Sequence, residues 1–256
     1  MEKASIENIN FLEKNTHKYA TEYLKDLLEY FVLLQETILL ALHNSGNSFA
    51  LKIEPNNKKL FAYITTVRAF SIAKVSMDIT IRGYPLEGLA LTRTLAELTR
   101  CVDYLLRHED LIDEFLSGKI KISQVLKKSK REITSNSEDT FGQTWGYMSR
   151  FSHATPDWIM LPLMSKEQNR ISVDLVNNNS DVISDVAKVI TSHLQFQYFI
   201  FRIFFLKDIS SVDELKKRDS ELFDPANVVK LGNTFTGEGR SLEELYNFVM
   251  EAYENQ

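Results

Sequence analysis

The chain has 256 residues, enough to bury a substantial hydrophobic core as one large domain or two modest ones. It contains only 9 Gly and 5 Pro, too few turn residues for an all-β protein of this length, so the composition indicates helices. A net charge of −5 argues against extensive wrapping by nucleic acid, although a local basic face is compatible with it.

Helical periodicity runs through most of the chain and predicts an all-α, multi-helix bundle with long helices. A break rich in Asn, Gly and Pro interrupts it near residues 46–59, and a polar loop interrupts it at 134–140. The RGYPLEG stretch predicts a tight corner between neighbouring helices. The predicted helices cover about residues 17–43, 60–82, 85–108, 111–116, 122–133, 141–153 and 181–207.

The last third of the chain departs from this pattern in two places. Two segments rich in β-formers flank a polar connection and predict a short β-hairpin within residues 158–176. Ser211 followed by Glu214, and Ser241 followed by Glu244, have the spacing of capping boxes that begin two final helices. We therefore expect a bundle over residues 1–208, with its core in 60–206, and a C-terminal helical extension over 209–256 packed on it.

Residues 85–108 form the most regular predicted helix. Arg93 and Glu97 are four residues apart beside a stripe formed by Leu91, Leu95, Leu98, Val102 and Leu105. The favoured interpretation is an intrahelical ion pair on a solvated flank. The alternative is that both side chains face His153 across the bundle core.

The stretch GQTWGYMSRFSHATPDW carries the other candidate polar groups, among them Tyr147. Small residues at every third or fourth position, ending in Ser149 and His153, would let a neighbouring helix approach closely. Pro156 should end this helix near His153, which places Arg150 and His153 in a last turn where free carbonyls favour cations. A structural role is thus favoured over a catalytic one.

One segment, KIKISQVLKKSKR, is strongly basic. Its cations include Lys127, Lys128, Lys130 and Arg131, and they could contact RNA or another phosphate-bearing ligand. The segment has no aromatic residue for base stacking, so a solvated helix flank is the favoured interpretation.

Several kinds of site and segment find no support in the sequence. Cys101 is the only cysteine, so no intramolecular disulfide or thiolate metal cluster is expected, and a reducing compartment is favoured. No Glu-x-x-His, Walker or nucleophile-elbow motif occurs, and we expect neither a metal nor a cofactor. The most apolar segment, residues 196–206, has 11 residues, far fewer than the roughly 20 of a bilayer span. We expect a soluble cytoplasmic protein without membrane contact.

Two of these elements together resemble a bacterial family of helical proteins of unknown function. Members of that family carry an Arg-x-x-x-Glu helix, matched by Arg93 and Glu97, and later a Tyr/Ser/His helix. Tyr147, Ser149 and His153 match the second element with one residue fewer between Tyr and Ser. The resemblance covers about residues 82–156.

That family is in turn similar to the HEPN-like bundles, which include dimeric ribonucleases and toxins of bacterial conflict systems. Their nuclease motif has Arg and His four to six residues apart, whereas only two residues separate Arg150 from His153. The resemblance implies a helical bundle in either case.

Two hypotheses about function follow. The first is a non-catalytic binding or regulatory module that associates with a protein partner or with itself. The second is a HEPN-like ribonuclease or toxin-type component of a defence system, with His153 as general acid or base and Arg150 or Arg93 stabilising phosphate charge.

Overall fold

The computed structural model describes residues 6–50, 57–133, 176 and 179–224, with the side chains of 47–50, 57 and 130–133 excepted. Within these ranges the chain is all-α, as predicted. Its helices are α1 (Ile6–Tyr23), α2 (Lys25–Ala50), α3 (Asn57–Ile81), α4 (Pro85–Arg107), a 3₁₀ turn (Glu109–Leu111), α5 (Ile112–Leu116), α6 (Ile122–Ile133), α7 (Ser180–Ser210) and α8 (Asp213–Leu222). The predicted helix over 141–153, hairpin over 158–176 and last helix from Ser241 lie outside the described residues, except for Val176.

The first predicted helix is two helices in the structure. Its apolar residues are regular enough to suggest one helix over 17–43, but the helical geometry breaks at Leu24. The Leu24 N–H still donates to the Ala20 carbonyl at 2.8 Å, and the Leu24 carbonyl accepts from Leu28 at 2.9 Å. The interruption is therefore confined to one residue, and the backbone hydrogen bonds continue across it.

The end of α2 also differs from the prediction. We expected a break near Gly46, but α2 continues through Gly46 to Ala50. One glycine inside a helix costs only about 1 kcal/mol, and the rest of a long helix can offset that cost. Residues 51–56, which hold the rest of the predicted break, lie outside the described residues.

The corner between α3 and α4 forms as predicted. Gly83 has φ 100°, a left-handed conformation that ends α3, and Pro85 is the first residue of α4. The N–H of Gly83 donates to the Thr80 carbonyl and that of Tyr84 to the Ile79 carbonyl, both at 3.1 Å. This is the Schellman arrangement, which satisfies the last carbonyls of a helix.

Small residues, rather than leucines alone, form the contact between α3 and α4. Of the predicted leucine stripe on α4, Leu91 and Leu98 are only half-buried. Gly88 lies against α3 so closely that an added Cβ would be 1.9 Å from Thr80 Oγ1. The leucine stripe was therefore an incomplete prediction of the contact between α3 and α4. A glycine adds nothing to a hydrophobic pattern in the sequence, although it lets two helices approach most closely.

The long apolar helix α7 packs against α2, α3 and α4. By length and composition it is the one helix in the described ranges that could cross a membrane, but 67% of its most apolar window is buried inside the protein. Ile190, Leu194 and Tyr198 are fully buried along it. It serves as a core helix of the bundle.

The start of α8 corrects the first capping-box prediction. The N-cap residue is Val212, and no side chain caps the helix. Ser211 Oγ instead donates to the Asp208 carbonyl at 2.7 Å, which ends α7. Glu214 accepts from Arg218 Nε at 2.8 Å rather than capping the backbone. A serine between two closely spaced helices can satisfy either end, and here it satisfies the preceding one.

Candidate functional site

The predicted pair on α4 forms an intrahelical ion pair. Arg93 Nε lies 3.0 Å from Glu97 Oε1, and the two side chains are 19% and 24% exposed. The four-residue spacing places them on one side of the helix, and the partial burial makes mutual neutralisation favourable. The pair lies at the edge of the core, where each charge already has a partner.

The same side of α4 contacts α6. Arg100, seven residues after Arg93, donates from Nε to the hydroxyl of Ser129 at 3.0 Å, and Ser129 is fully buried. Because seven residues are nearly two helical turns, the polar side of α4 continues directly into this contact. The structure thus places the helix of the basic segment beside the helix that carries Arg93 and Glu97.

The basic segment itself points partly to solvent. Lys127 and Lys128 are exposed, and neither forms an ion pair with a described residue, whereas Val125 is fully buried. For Lys130 and Arg131 the structure describes the backbone in α6 only. The arrangement is that of an amphipathic helix with a cationic outer side.

The remaining predicted site residues are Tyr147, Ser149, Arg150 and His153, and they lie outside the described residues. Their relation to Arg93 and Glu97 therefore stays a prediction.

A buried polar cluster that the sequence did not reveal joins α7 to α8. Asp219 accepts from Arg202 Nε at 2.8 Å on one carboxylate oxygen and from the Tyr198 hydroxyl at 3.0 Å on the other. The Arg202 guanidinium also lies over the Phe223 ring, 5.1 Å from its centroid. Arg202 within an otherwise apolar run was the signal available, since a buried cation requires an acidic partner. The sequence could not identify that partner.

The environment of this cluster disfavours negative charge on its members. Burial raises the pKa of Asp219, while the Arg202 guanidinium and the hydrogen bonds act in the opposite direction. Burial, together with the neighbouring Asp219, raises the pKa of Tyr198 well above its usual value. Tyr198 is therefore a neutral donor and not a general base at neutral pH.

A second buried polar contact joins α3 to α7. Gln197 Nε2 lies 3.3 Å from Thr65 Oγ1 and 3.2 Å from Thr66 Oγ1. Both threonine hydroxyls also hydrogen-bond to backbone carbonyls of their own helix, so in this contact they accept from Gln197. Gln197 Oε1 is buried with no hydrogen-bond partner among the described groups. The contact fixes how the two helices face each other.

His193 is buried in α7. Burial lowers the pKa of its imidazole to about 4, so the ring is neutral at pH 7. A general acid or base works best with a pKa near the operating pH and with access to substrate. His193 satisfies neither condition and belongs to the core.

In the described ranges, no three His, Cys, Asp or Glu side chains are grouped so that they could hold a metal ion. Comparison with protein-family models, with curated proteins and with solved structures found no match. Among the described polar groups, the Asp219 cluster joins α7 to α8, and Gln197 joins α7 to α3.

Proposed function

We propose that the protein is a non-catalytic helical bundle that works in the cytoplasm as a binding or regulatory module. The observation that supports this proposal is the mutual pairing of its buried and partly buried charged groups. Asp219 has a hydrogen-bond donor on each carboxylate oxygen, and the Arg93–Glu97 pair is internal to one helix. Groups that neutralise each other in this way stabilise packing and leave little reactivity for a substrate.

The titration behaviour of the core supports the same proposal. Burial holds His193 neutral and raises the pKa of the Cys101 thiol to about 12, so neither is a base or nucleophile at neutral pH. An enzyme of acid–base or thiol chemistry would need the opposite shifts.

Binding to another protein, or to a second copy of this chain, is the role we assign to the outer surface. Several large apolar side chains stand about half exposed on the outer helices: Phe11 64%, Tyr19 51%, Leu39 51% and Val75 51%. Exposed apolar area of this kind favours association when the residues adjoin. We expect native mass spectrometry of the pure protein at micromolar concentration to detect a dimer. When a protein partner is added, we expect it to detect the complex of the two proteins.

Expression of the protein in growing bacterial cells separates this proposal from the ribonuclease hypothesis. We expect wild type and His153→Ala to leave growth unchanged, because neither cleaves RNA. Melting temperatures of both proteins should be measured in parallel, so that a failure of the variant to fold is recognised. Growth inhibition by wild type that a stably folded His153→Ala variant abolishes would contradict the proposal.

A further inference from the structure

An open groove of about 330 Å³ lies between α1 and the end of α3. Its lining residues are Asn10, Glu13, Lys14, His17 and Arg82. Three of them, Asn10, Lys14 and His17, are spaced by four and three residues along α1, so they project from the same side of that helix. Arg82 faces them from the residue that follows α3.

The charge of this groove is predominantly positive. Lys14 and Arg82 are basic side chains and His17 adds an imidazole, while Glu13 is the one carboxylate in the lining. That carboxylate accepts a short hydrogen bond from the Tyr84 hydroxyl. Glu13 raises the pKa of Tyr84 to about 12 through this bond, so the phenol stays protonated and continues to donate.

The cations of the groove have no carboxylate partner among the described residues. The ion pairs of the described ranges involve other side chains, and the nearest acid, Glu13, is directed to Tyr84. The negative end of the α3 macrodipole accounts for a cation at Arg82. It does not account for Lys14 and His17, which lie in the middle of another helix.

We infer that this groove binds a phosphate group of a small molecule. A guanidinium binds phosphate oxygens in a bidentate manner, an ammonium adds a point charge, and the Asn10 amide and His17 ring supply further donors. A volume of about 330 Å³ is at the small end of ligand pockets and accommodates one or two phosphate groups. The inference is independent of the proposed function, since a binding module and an enzyme could both use such a groove.

Titration of the purified full chain with inorganic phosphate and with pyrophosphate tests the inference. Amide chemical shifts of α1 and the α3–α4 corner, or calorimetry, would report binding at constant ionic strength set by sodium chloride. We expect saturable binding of pyrophosphate that Arg82→Ala weakens at least about tenfold, because the variant removes the charge-assisted, bidentate hydrogen bonds of the guanidinium.

Lys18→Ala is the matched control, because it removes a cation from an exposed site on the same helix without touching the groove. We expect this variant to bind pyrophosphate within about twofold of wild type, since exposed charges outside the site are screened. The inference would be overturned if neither inorganic phosphate nor pyrophosphate binds saturably. Equal weakening by Lys18→Ala and Arg82→Ala would overturn it as well, because it would indicate diffuse attraction without a site.

Discussion

Arg202 of the core helix donates from Nε to a carboxylate oxygen of Asp219 at 2.8 Å, with the two side chains 14% and 7% exposed. This ion pair joins α7 to α8. We predict that Arg202→Met lowers the free energy of unfolding by about 3–5 kcal/mol, because it leaves a buried carboxylate without its cation. Denaturant unfolding followed by circular dichroism measures the change.

Two further variants make the Arg202 prediction specific. The double variant Arg202→Met/Asp219→Asn should lose less stability than Arg202→Met alone, since no buried charge then remains unpaired. Lys74→Ala removes the cation of the exposed Lys74–Asp78 ion pair, whose side chains are 56% and 54% exposed. This variant should lower the free energy of unfolding by about 0.5 kcal/mol or less. Equal effects of Lys74→Ala and Arg202→Met would rule out a stabilising role for the buried pair.

The closest approach of α3 and α4 gives a second prediction. Gly88→Ala should destabilise the protein by about 1–3 kcal/mol, although alanine favours helices, because its Cβ would lie 1.9 Å from Thr80 Oγ1 and 3.1 Å from the Ser76 carbonyl. Thr80→Ala in the same chain should restore part of the loss by removing the hydroxyl. A Gly88→Ala variant that melts at or above the wild-type temperature would show that the helices do not pack this closely.

Burial of His193 makes stability depend on pH in a defined direction. Its folded pKa of about 4 lies below the usual 6.5, so the unfolded chain takes up a proton more readily. The contribution of His193 to the free energy of unfolding is present above about pH 6.5 and is lost as pH falls toward 4. The free energy of unfolding should therefore decrease by about 2 kcal/mol between pH 7.5 and 5. Urea unfolding at these two pH values measures it.

The variant His193→Gln should remove this pH dependence, whatever its effect on stability at pH 7.5. His43→Gln, a change at an exposed histidine of α2, should leave the dependence in place. If the free energy of unfolding of His193→Gln still falls as much as that of wild type between pH 7.5 and 5, another group causes the pH dependence.

The contact between Gln197 and the α3 threonines predicts a small effect. Gln197→Met should change the free energy of unfolding by less than about 1 kcal/mol, or raise it, because it removes a buried carbonyl oxygen that has no hydrogen-bond partner among the described groups. Both threonine hydroxyls keep their bonds to helix carbonyls. Gln197→Glu should cost more than about 2 kcal/mol, since it buries a charge in the same place. A Gln197→Met loss as large as that of Gln197→Glu would contradict this interpretation.

Much of the fold was predictable from sequence because it depends on local patterns. The Gly83–Pro85 corner, the Arg93–Glu97 pair and the apolar core helix each follow from residues within a few positions of one another. The contact of Gly88 with Thr80 was missed because absent side chains carry no periodic signal. The break at Leu24 was missed because its apolar spacing continues across it.

The polar sites were less predictable, because their members are far apart in sequence. In the sequence, Arg202 and Asp219 are two charged residues with nothing to indicate that they pair. They form an ion pair because α8 packs against α7. The groove between α1 and Arg82 likewise joins residues 65 or more positions apart, each unremarkable in its own helix. Of the site predicted around His153, the structure describes Arg93 and Glu97.

The most direct test of the proposed function is incubation of the purified wild-type protein with labelled single-stranded RNA, with and without Mg²⁺, at neutral pH. We expect intact RNA after hours at micromolar protein. RNA cleavage by wild type that is lost in a His153→Ala variant with an unchanged melting temperature would contradict a non-catalytic role.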